Sequence, residues 1–244
     1  MNKGLGSCEN YSGFLKRIFS FEKSDFTFGT KKILPSDSVR AKVDASGKFS
    51  RFVGDTVVFD LEPFHKKFIQ EHYIEPLYCV ASECFAQKFH ESTLHMTLHD
   101  LNASADDIVV MHRMFETEIE LARKLQRINF SPERITMETT CVFNMVNTSL
   151  VLGLKPKTEA DFEKLMNLYY FVDEICQLSY PLTPHITLAY YNRDGFGREQ
   201  IEAIERVVNN LNRESFELTL STEKLYYQKF INMNEFVNIM SFVK

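Results

Sequence analysis

Two distant segments of the chain repeat one four-residue pattern of histidine, apolar residue, threonine and leucine. The first reads HMTL and begins at His95, and the second reads HITL and begins at His185. Each lies in an alternating run of apolar and polar residues, which is typical of a strand with one buried face. Because side chains at positions i and i+2 of a strand point to the same side, each histidine is expected to share a face with its threonine, Thr97 or Thr187. The apolar residues between them are then expected to face the core.

The elements around the two segments follow the same order. A β-branched strand at 56–59 and a helix precede the first segment, and another helix follows it. Strands within 135–152 and a helix that begins at Thr158 precede the second, and a helix around 197–211 follows it. We therefore predict an α+β fold with two pseudo-symmetric lobes, each a mainly antiparallel sheet with outer helices. If a pseudo-twofold axis relates the lobes, both histidine strands line one central cleft.

The longest helix is predicted to run from Ser104 to about Ile128. Ser104 and Asp107 have the spacing of a capping box, which favours a helix start at this point. Apolar residues follow at helical spacing and are expected to pack on the sheet. These residues are Ile108, Met111, Phe115, Ile119, Ala122 and Leu125.

Residues 1–45 precede the repeated order and are interpreted as an N-terminal extension, which leaves residues 46–244 as a single bilobal domain. Phe14 and Ile18 share one side of a short predicted helix that we expect to pack on the main body. The segment at 35–38 is predicted to be a loop. For the predicted helix at 14–19, the alternative of a helix on a membrane surface needs a broader basic face than Lys16 and Arg17 supply.

Composition narrows the function classes. The formal net charge of −5 argues against binding to long duplex nucleic acid, which requires a basic surface. The five cysteines are odd in number and have no CxxC spacing, which favours reduced thiols in a cytoplasmic protein over a disulfide framework. No stretch has the apolar length of a signal peptide or of a membrane span, so no association with a membrane is expected.

Two histidines on facing strands fit general acid and base catalysis at a phosphodiester. Histidine titrates near neutral pH, so one ring is able to accept a proton from water while the other donates a proton to the leaving oxygen. His95 and His185 are the candidates for these two roles. Thr97 and Thr187 are candidates to donate hydrogen bonds to the non-bridging oxygens, where charge develops. The scheme requires no metal ion and no cofactor.

Alternation places two further polar residues on the same faces. His99 is predicted on the face of His95, but four residues along a strand span about 13 Å, too far for the two rings to share a zinc ion. Tyr191 is predicted on the face of His185, either as a contact to substrate or as an aromatic residue of the core or rim. Tyr190 is expected to pack behind that face.

Paired His-x-Thr-Leu segments, one in each lobe, resemble the 2H phosphoesterase superfamily, which includes the LigT-like RNA ligases and cyclic phosphodiesterases. The resemblance covers residues 55 to about 230 and leaves out the N-terminal extension. It implies a bilobal fold and a metal-free site that hydrolyses a 2′,3′-cyclic or related phosphodiester. Where many LigT-like members have arginine after the second Leu-Ala, this chain has Tyr190. The site residues that the resemblance assigns are His95, His185, Thr97 and Thr187.

The leading hypothesis is a cytoplasmic phosphodiesterase that acts on a small cyclic nucleotide or on the 2′,3′-cyclic end of an RNA. One competing hypothesis is a non-catalytic module that binds a nucleotide in the same cleft. Another is a ligase that joins RNA ends through a 2′-5′ bond. Analysis of products separates the three hypotheses. A phosphodiesterase yields a hydrolysed end, a binding module yields no product, and a ligase yields a joined strand.

Overall fold

The computed structural model describes residues 9–22 and 29–243. The helices in these ranges are α1 (Tyr11–Phe19), α2 (Asp37–Lys42), α3 (Pro63–Ile69), α4 (Glu75–Ala81), α5 (Asp107–Arg127), α6 (Glu159–Asp173) and α7 (Arg198–Leu211). The strands are β1 (Lys32–Ile33), β2 (Val53–Asp60), β3 (His95–Ser104), β4 (Arg134–Met145), β5 (Ser149–Pro156), β6 (His185–Tyr190), β7 (Phe196–Gly197), β8 (Glu217–Ser221), β9 (Leu225–Asn232) and β10 (Glu235–Ser241).

The predicted α+β class with antiparallel sheets and outer helices is confirmed. One sheet of eight strands has the order β10-β9-β2-β3-β6-β5-β4-β8, and β1 pairs with β7 in a separate small sheet. The large sheet consists of two halves of four strands that meet where β3 pairs with β6. Met96 lies opposite Ile186 in that antiparallel pair. The junction between the halves therefore runs through both histidine segments.

The chain crosses between the two halves of the sheet. Strand β4 follows α5 but pairs with β5 and β8 in the second half. Strands β9 and β10 come last in the chain and return to the first half, where β9 pairs with β2. Each half therefore needs strands from distant parts of the sequence. The outer boundary at residues 46–244 stays a prediction.

The predicted inner side of the long helix is wrong over most of its length, and only Leu125 near its end is buried as predicted. Helix α5 packs on β2 and β3 through a different stripe. Ile108, Met111 and Phe115 are exposed, at 85%, 59% and 61% of their surface. The buried stripe includes a threonine, Thr117, whose hydroxyl oxygen accepts a hydrogen bond from the Asn102 amide at 3.0 Å. A hydrophobicity pattern counts that threonine as polar, so it favours the wrong face. The buried residues of α5 are Val110, Met114, Thr117, Leu121 and Leu125.

The N-terminal segment is more ordered than the sequence suggests. Phe14 and Ile18 on α1 are buried, as predicted. The segment predicted as a loop instead leads into α2, which begins after Ser36. The side chain of Val39 on α2 is fully buried in a small apolar cluster with Val43 and Ala86. This packing holds α2 in place. Across the described residues, no helix has the length and apolar character needed to cross a membrane.

Gly54 on β2 leaves the space that the Phe230 ring of β9 occupies. It lies opposite Phe230 of β9. A Cβ atom at this position would overlap the Phe230 ring and the backbone oxygen of Asn102. We predict that Gly54→Ala lowers the free energy of unfolding by about 1–3 kcal/mol, the usual cost of overpacking. Chemical denaturation measures the change.

Gly197→Ala is the control for this prediction. Its added methyl group would meet only the Gln200 side chain, at an ordinary contact distance of 3.7 Å. We expect a loss of less than about 1 kcal/mol, the size of a weaker helix N-cap. Equal losses for the two variants would contradict the account of Gly54.

Candidate active site

The pairing of β3 with β6 brings the two histidine segments together. Because Met96 lies opposite Ile186, the antiparallel register places His95 opposite Thr187 and Thr97 opposite His185. Each histidine is therefore the cross-strand neighbour of the threonine from the other segment. The two histidines occupy diagonal positions, which are about 7–8 Å apart between strands. His185 is also among the charged groups that act on His95.

Both strands carry a β-bulge at the leucine of the segment. On β3, Thr97 pairs with Val58 and His99 pairs with Val57, so Leu98 is the extra residue. On β6, Thr187 pairs with Val151 and Ala189 pairs with Leu150, so Leu188 is the extra residue. A bulge of one residue reverses the alternation of side chains beyond it. The residues returned to the cleft face are Asp100 on β3 and Tyr190 on β6.

The prediction that Tyr191 shares the face of His185 is therefore wrong. Beyond the bulge at Leu188, Tyr191 turns into the core and is fully buried. Its hydroxyl donates a hydrogen bond to Asn144 Oδ1 at 3.0 Å. Tyr190, predicted to pack behind the strand, lines the cleft instead. The core alternative for Tyr191 is the one that the structure shows.

The bulge at Leu98 also takes His99 out of the regular alternation, although His99 still borders the cleft. Its ring is buried, with Nε2 at 3.0 Å from Asp173 Oδ1 on α6. Nδ1 lies 2.5 Å from the backbone oxygen of Asp100. Both nitrogens thus have partners within the protein. Among the described residues, no group of three or more histidine, cysteine or acidic side chains is arranged to hold a metal ion.

The two candidate histidines are held in the same way. His95 Nδ1 lies 2.8 Å from the backbone oxygen of Thr93, and His185 Nδ1 lies 2.7 Å from that of Thr183. A carbonyl oxygen only accepts, so we assign the proton of each neutral ring to Nδ1. Nε2 of each ring then keeps a lone pair for proton transfer.

Burial sets the charge state of both rings. It lowers the pKa of His95 to about 4, although the Thr93 carbonyl and Asp60 act in the opposite direction. Burial also lowers the pKa of His185, and the Thr183 carbonyl and Asp100 oppose this. Desolvation favours the neutral form of a histidine, so the free protein holds His95 uncharged at neutral pH.

The paired histidines and both threonines line a cleft with a cavity of about 650 Å³. This size is within the usual range for small-molecule sites, about 300–1,000 Å³. Aromatic side chains form much of its wall, and the Phe236 ring meets the His95 ring edge-on, with centroids 5.1 Å apart. The other aromatic residues of the wall are Phe21, Phe89, Tyr169, Tyr180 and Tyr190.

The N-terminal segment contributes two cations to the cleft, a role that the sequence did not suggest. Arg17 of α1 donates from Nη2 to the Leu182 backbone oxygen at 2.9 Å and from Nη1 to Thr183 Oγ1 at 3.2 Å. It thereby supports the turn whose carbonyl orients His185. Lys42 of α2 lies against Tyr190. Nothing in the local sequence around either cation indicates a partner so far along the chain.

No protein-family model and no curated protein matches this chain. Solved structures, in contrast, do match this chain. A conserved protein of unknown function from Agrobacterium tumefaciens aligns with a TM-score of 0.63 and 16% identity over 85% of this chain and 93% of its own. This likeness shows a shared fold.

Two further solved structures match over most of their length. Escherichia coli LigT complexed with 3′-AMP aligns with a TM-score of 0.42 and 15% identity over 78% of this chain and 96% of its own. A protein described as a phosphoesterase aligns with a TM-score of 0.42 and 14% identity over 77% and 95%.

The hydrogen bonds of the two rings predict their tautomer. In protein labelled with ¹⁵N at histidine, the shifts of His95 and His185 should show a protonated Nδ1 and an unprotonated Nε2 at neutral pH. His95 should titrate with a pKa of about 4. His95→Gln and His185→Gln assign the signals. A proton on Nε2 of either neutral ring, or a His95 pKa at or above 6.5, would contradict this geometry.

Proposed function

We propose that this protein is a phosphodiesterase that hydrolyses, without a metal ion, a 2′,3′-cyclic or related phosphodiester of a nucleotide or an RNA end. The proposal rests on the pair of histidines at the β3–β6 junction. Each has Nδ1 bound to a carbonyl oxygen and Nε2 left for chemistry. Two such rings at diagonal positions on one face are suited to serve opposite sides of a phosphate group.

In the proposed reaction, His95 Nε2 takes a proton from a water molecule whose oxygen attacks phosphorus. The bond between phosphorus and the ribose oxygen breaks, and His185 Nε2 gives its proton to that oxygen. The product is a phosphomonoester, and proton exchange with solvent restores both rings. Thr97 and Thr187 donate hydrogen bonds to the non-bridging oxygens, each from beside the opposite histidine.

The charges around each ring support this division of roles. A general base has to be neutral, and burial lowers the pKa of His95 to about 4. A general acid has to be protonated, and Asp100 on the cleft face favours the charged form of His185. In this division His95 is the base because burial holds its pKa at about 4 against the opposing effect of Asp60.

The cleft suits a nucleotide. Aromatic rings offer stacking surfaces for a base, and such stacking contributes about 1–3 kcal/mol per base. The cavity is large enough for a nucleotide and too small for a duplex. We propose a small nucleotide or an RNA end as the partner, rather than long duplex nucleic acid or a membrane.

We also propose a reducing, cytoplasmic setting. The cysteines of the described residues are free thiols. Burial raises the pKa of Cys84 to about 12 and that of Cys141 to about 11. Thiols with such pKa values ionise little at neutral pH and react slowly, which is the behaviour of structural cysteines.

Substitution of either histidine tests the proposed activity. Removal of a general acid or base costs about 10²–10⁴-fold in turnover, so we expect such a loss for His95→Ala and for His185→Ala. The measurement is kcat on 2′,3′-cyclic nucleotides and short RNAs with cyclic ends, with circular dichroism to confirm folding. His112→Ala, at an exposed histidine of α5, is the control and should retain full activity.

The outcomes of that experiment separate the competing functions. Full activity in either histidine variant would contradict the proposal. Tight nucleotide binding by the parent protein with no product after long incubation would favour a binding module. Joined RNA strands in place of hydrolysed ends would favour a ligase.

The pKa directions predict the pH dependence. The productive state has His95 neutral and His185 protonated, so kcat/KM should be highest between the two pKa values. The pKa of His95 is about 4, and burial lowers the pKa of His185 from its ordinary value of 6.5. The optimum is therefore expected on the acid side of pH 6.5. As pH rises through the His185 pKa, kcat/KM should fall. Chelator should change nothing, and an optimum above pH 8 or loss of activity in EDTA would contradict the scheme.

A further inference from the structure

The two ends of the cleft carry opposite charge. The bulges place Asp100 and Tyr190 at equivalent positions of β3 and β6. At one end, the Asp100 carboxylate accepts a hydrogen bond from the Tyr180 hydroxyl at 2.9 Å. At the other end, Lys42 Nζ lies 3.4 Å from the Tyr190 hydroxyl and 5.1 Å from the centre of its ring. The cleft therefore repels an anion at the Asp100 end and attracts one at the Lys42 end.

Lys42 differs from the other cations near the histidines because its charge is not neutralised by a carboxylate. Arg17 is bound by Glu9 at 2.7 Å. Lys66, whose charge acts on His95, is bound by Asp60 at 2.5 Å. For Lys42, no carboxylate of the described residues lies within ion-pair distance, although its ammonium group lines the cleft. Its charge is available to a ligand.

The position of Lys42 is nonetheless well defined. Its ammonium group lies over two aromatic rings, at 5.1 Å from the centre of Tyr190 and 5.3 Å from that of Phe52. Val39, one turn earlier on α2, is fully buried. Ser36, just before α2, is bound to Thr148 of the β4–β5 turn through their hydroxyl groups at 2.9 Å. A cation held by aromatic faces and a packed helix loses little freedom when it binds an anion.

The distance along β6 indicates which anionic group of a ligand would bind Lys42. Thr187 pairs with Val151 of β5 and Tyr190 pairs with Ser149, two residues further on, which corresponds to about 7 Å along the strand. The scissile phosphate between His95 and His185 is therefore separate from the group that reaches Lys42. A second phosphate on the same substrate, attached through the far side of the ribose, has the required separation and charge.

We propose that Lys42 binds a second phosphate of the substrate, the one on the 5′ oxygen of the nucleoside whose cyclic phosphate is hydrolysed. This inference rests on the proposed function and adds the substrate class. The 5′ phosphate has two sources, a terminal 5′ phosphate on a mononucleotide or the internucleotide phosphate of an RNA end. Both place an anionic phosphate oxygen at Lys42, and an unmodified nucleoside 2′,3′-cyclic phosphate does not.

Binding of product analogues tests the proposal without turnover. Isothermal titration calorimetry compares adenosine 3′,5′-bisphosphate with adenosine 3′-monophosphate. A charge-assisted contact predicts that the parent protein binds the bisphosphate about 10-fold more tightly. Lys42→Ala should bind the two ligands alike, and Lys42→Arg should keep most of the preference. Lys48→Ala, at a nearby exposed lysine, is the matched control and should bind as the parent does.

Turnover then separates the two sources of the 5′ phosphate. The substrates are adenosine 2′,3′-cyclic phosphate, its 5′-phosphorylated form and the dinucleotide ApA with a 2′,3′-cyclic end. The parent protein should prefer one or both of the longer forms in kcat/KM, and Lys42→Ala should lose that preference. The form that is preferred identifies the source.

The two proposals fail in different ways. Equal binding of the two analogues by the parent protein, or an unchanged preference in Lys42→Ala, overturns the role of Lys42 even if every substrate is hydrolysed. A binding preference that depends on Lys42, together with no hydrolysis of any substrate, overturns the proposed function and leaves the anion site in place. Thermal unfolding of each variant confirms that it is folded.

Discussion

The pairing of β3 with β6 at Met96 and Ile186 is the contact on which the candidate site depends. It joins the two halves of the large sheet, and it also sets which side chains meet across the junction. A shift of one residue in either strand would turn the histidine of that strand away from the cleft, because side chains alternate along a strand. The register that makes the sheet continuous is therefore the register that builds the site.

The bulges at Leu98 and Leu188 make the surroundings of the two histidines chemically different. They return one residue of each strand to the cleft, and the two residues differ. Asp100 adds a carboxylate near His185, whereas Tyr190 adds a ring over which the Lys42 ammonium group lies. Two segments of nearly identical sequence thus acquire unlike surroundings. In the proposed mechanism, one histidine acts as a base and the other as an acid in these unlike surroundings.

The sequence predicts the fold class, the two histidine strands and the faces of their first three residues, because a short strand with one buried side has a strict alternation. It fails beyond the bulges, where Tyr191 and Tyr190 exchange roles, since hydrophobicity carries no sign of an inserted residue. It also fails where a buried face includes a polar residue, as Thr117 shows on α5. The contribution of Lys42 depends on a contact between residues far apart in the chain, which no local pattern encodes.

Hydrolysis in water enriched in ¹⁸O tests the central claim most directly, because it follows the attacking oxygen itself. In the ³¹P NMR spectrum, a 2′,3′-cyclic nucleotide should give one phosphomonoester isomer whose phosphorus signal carries the shift of a single ¹⁸O atom. Water activated by a fixed base and a leaving oxygen protonated by a fixed acid require that result. A mixture of the 2′ and 3′ isomers, a product without label or no product at all would contradict the account.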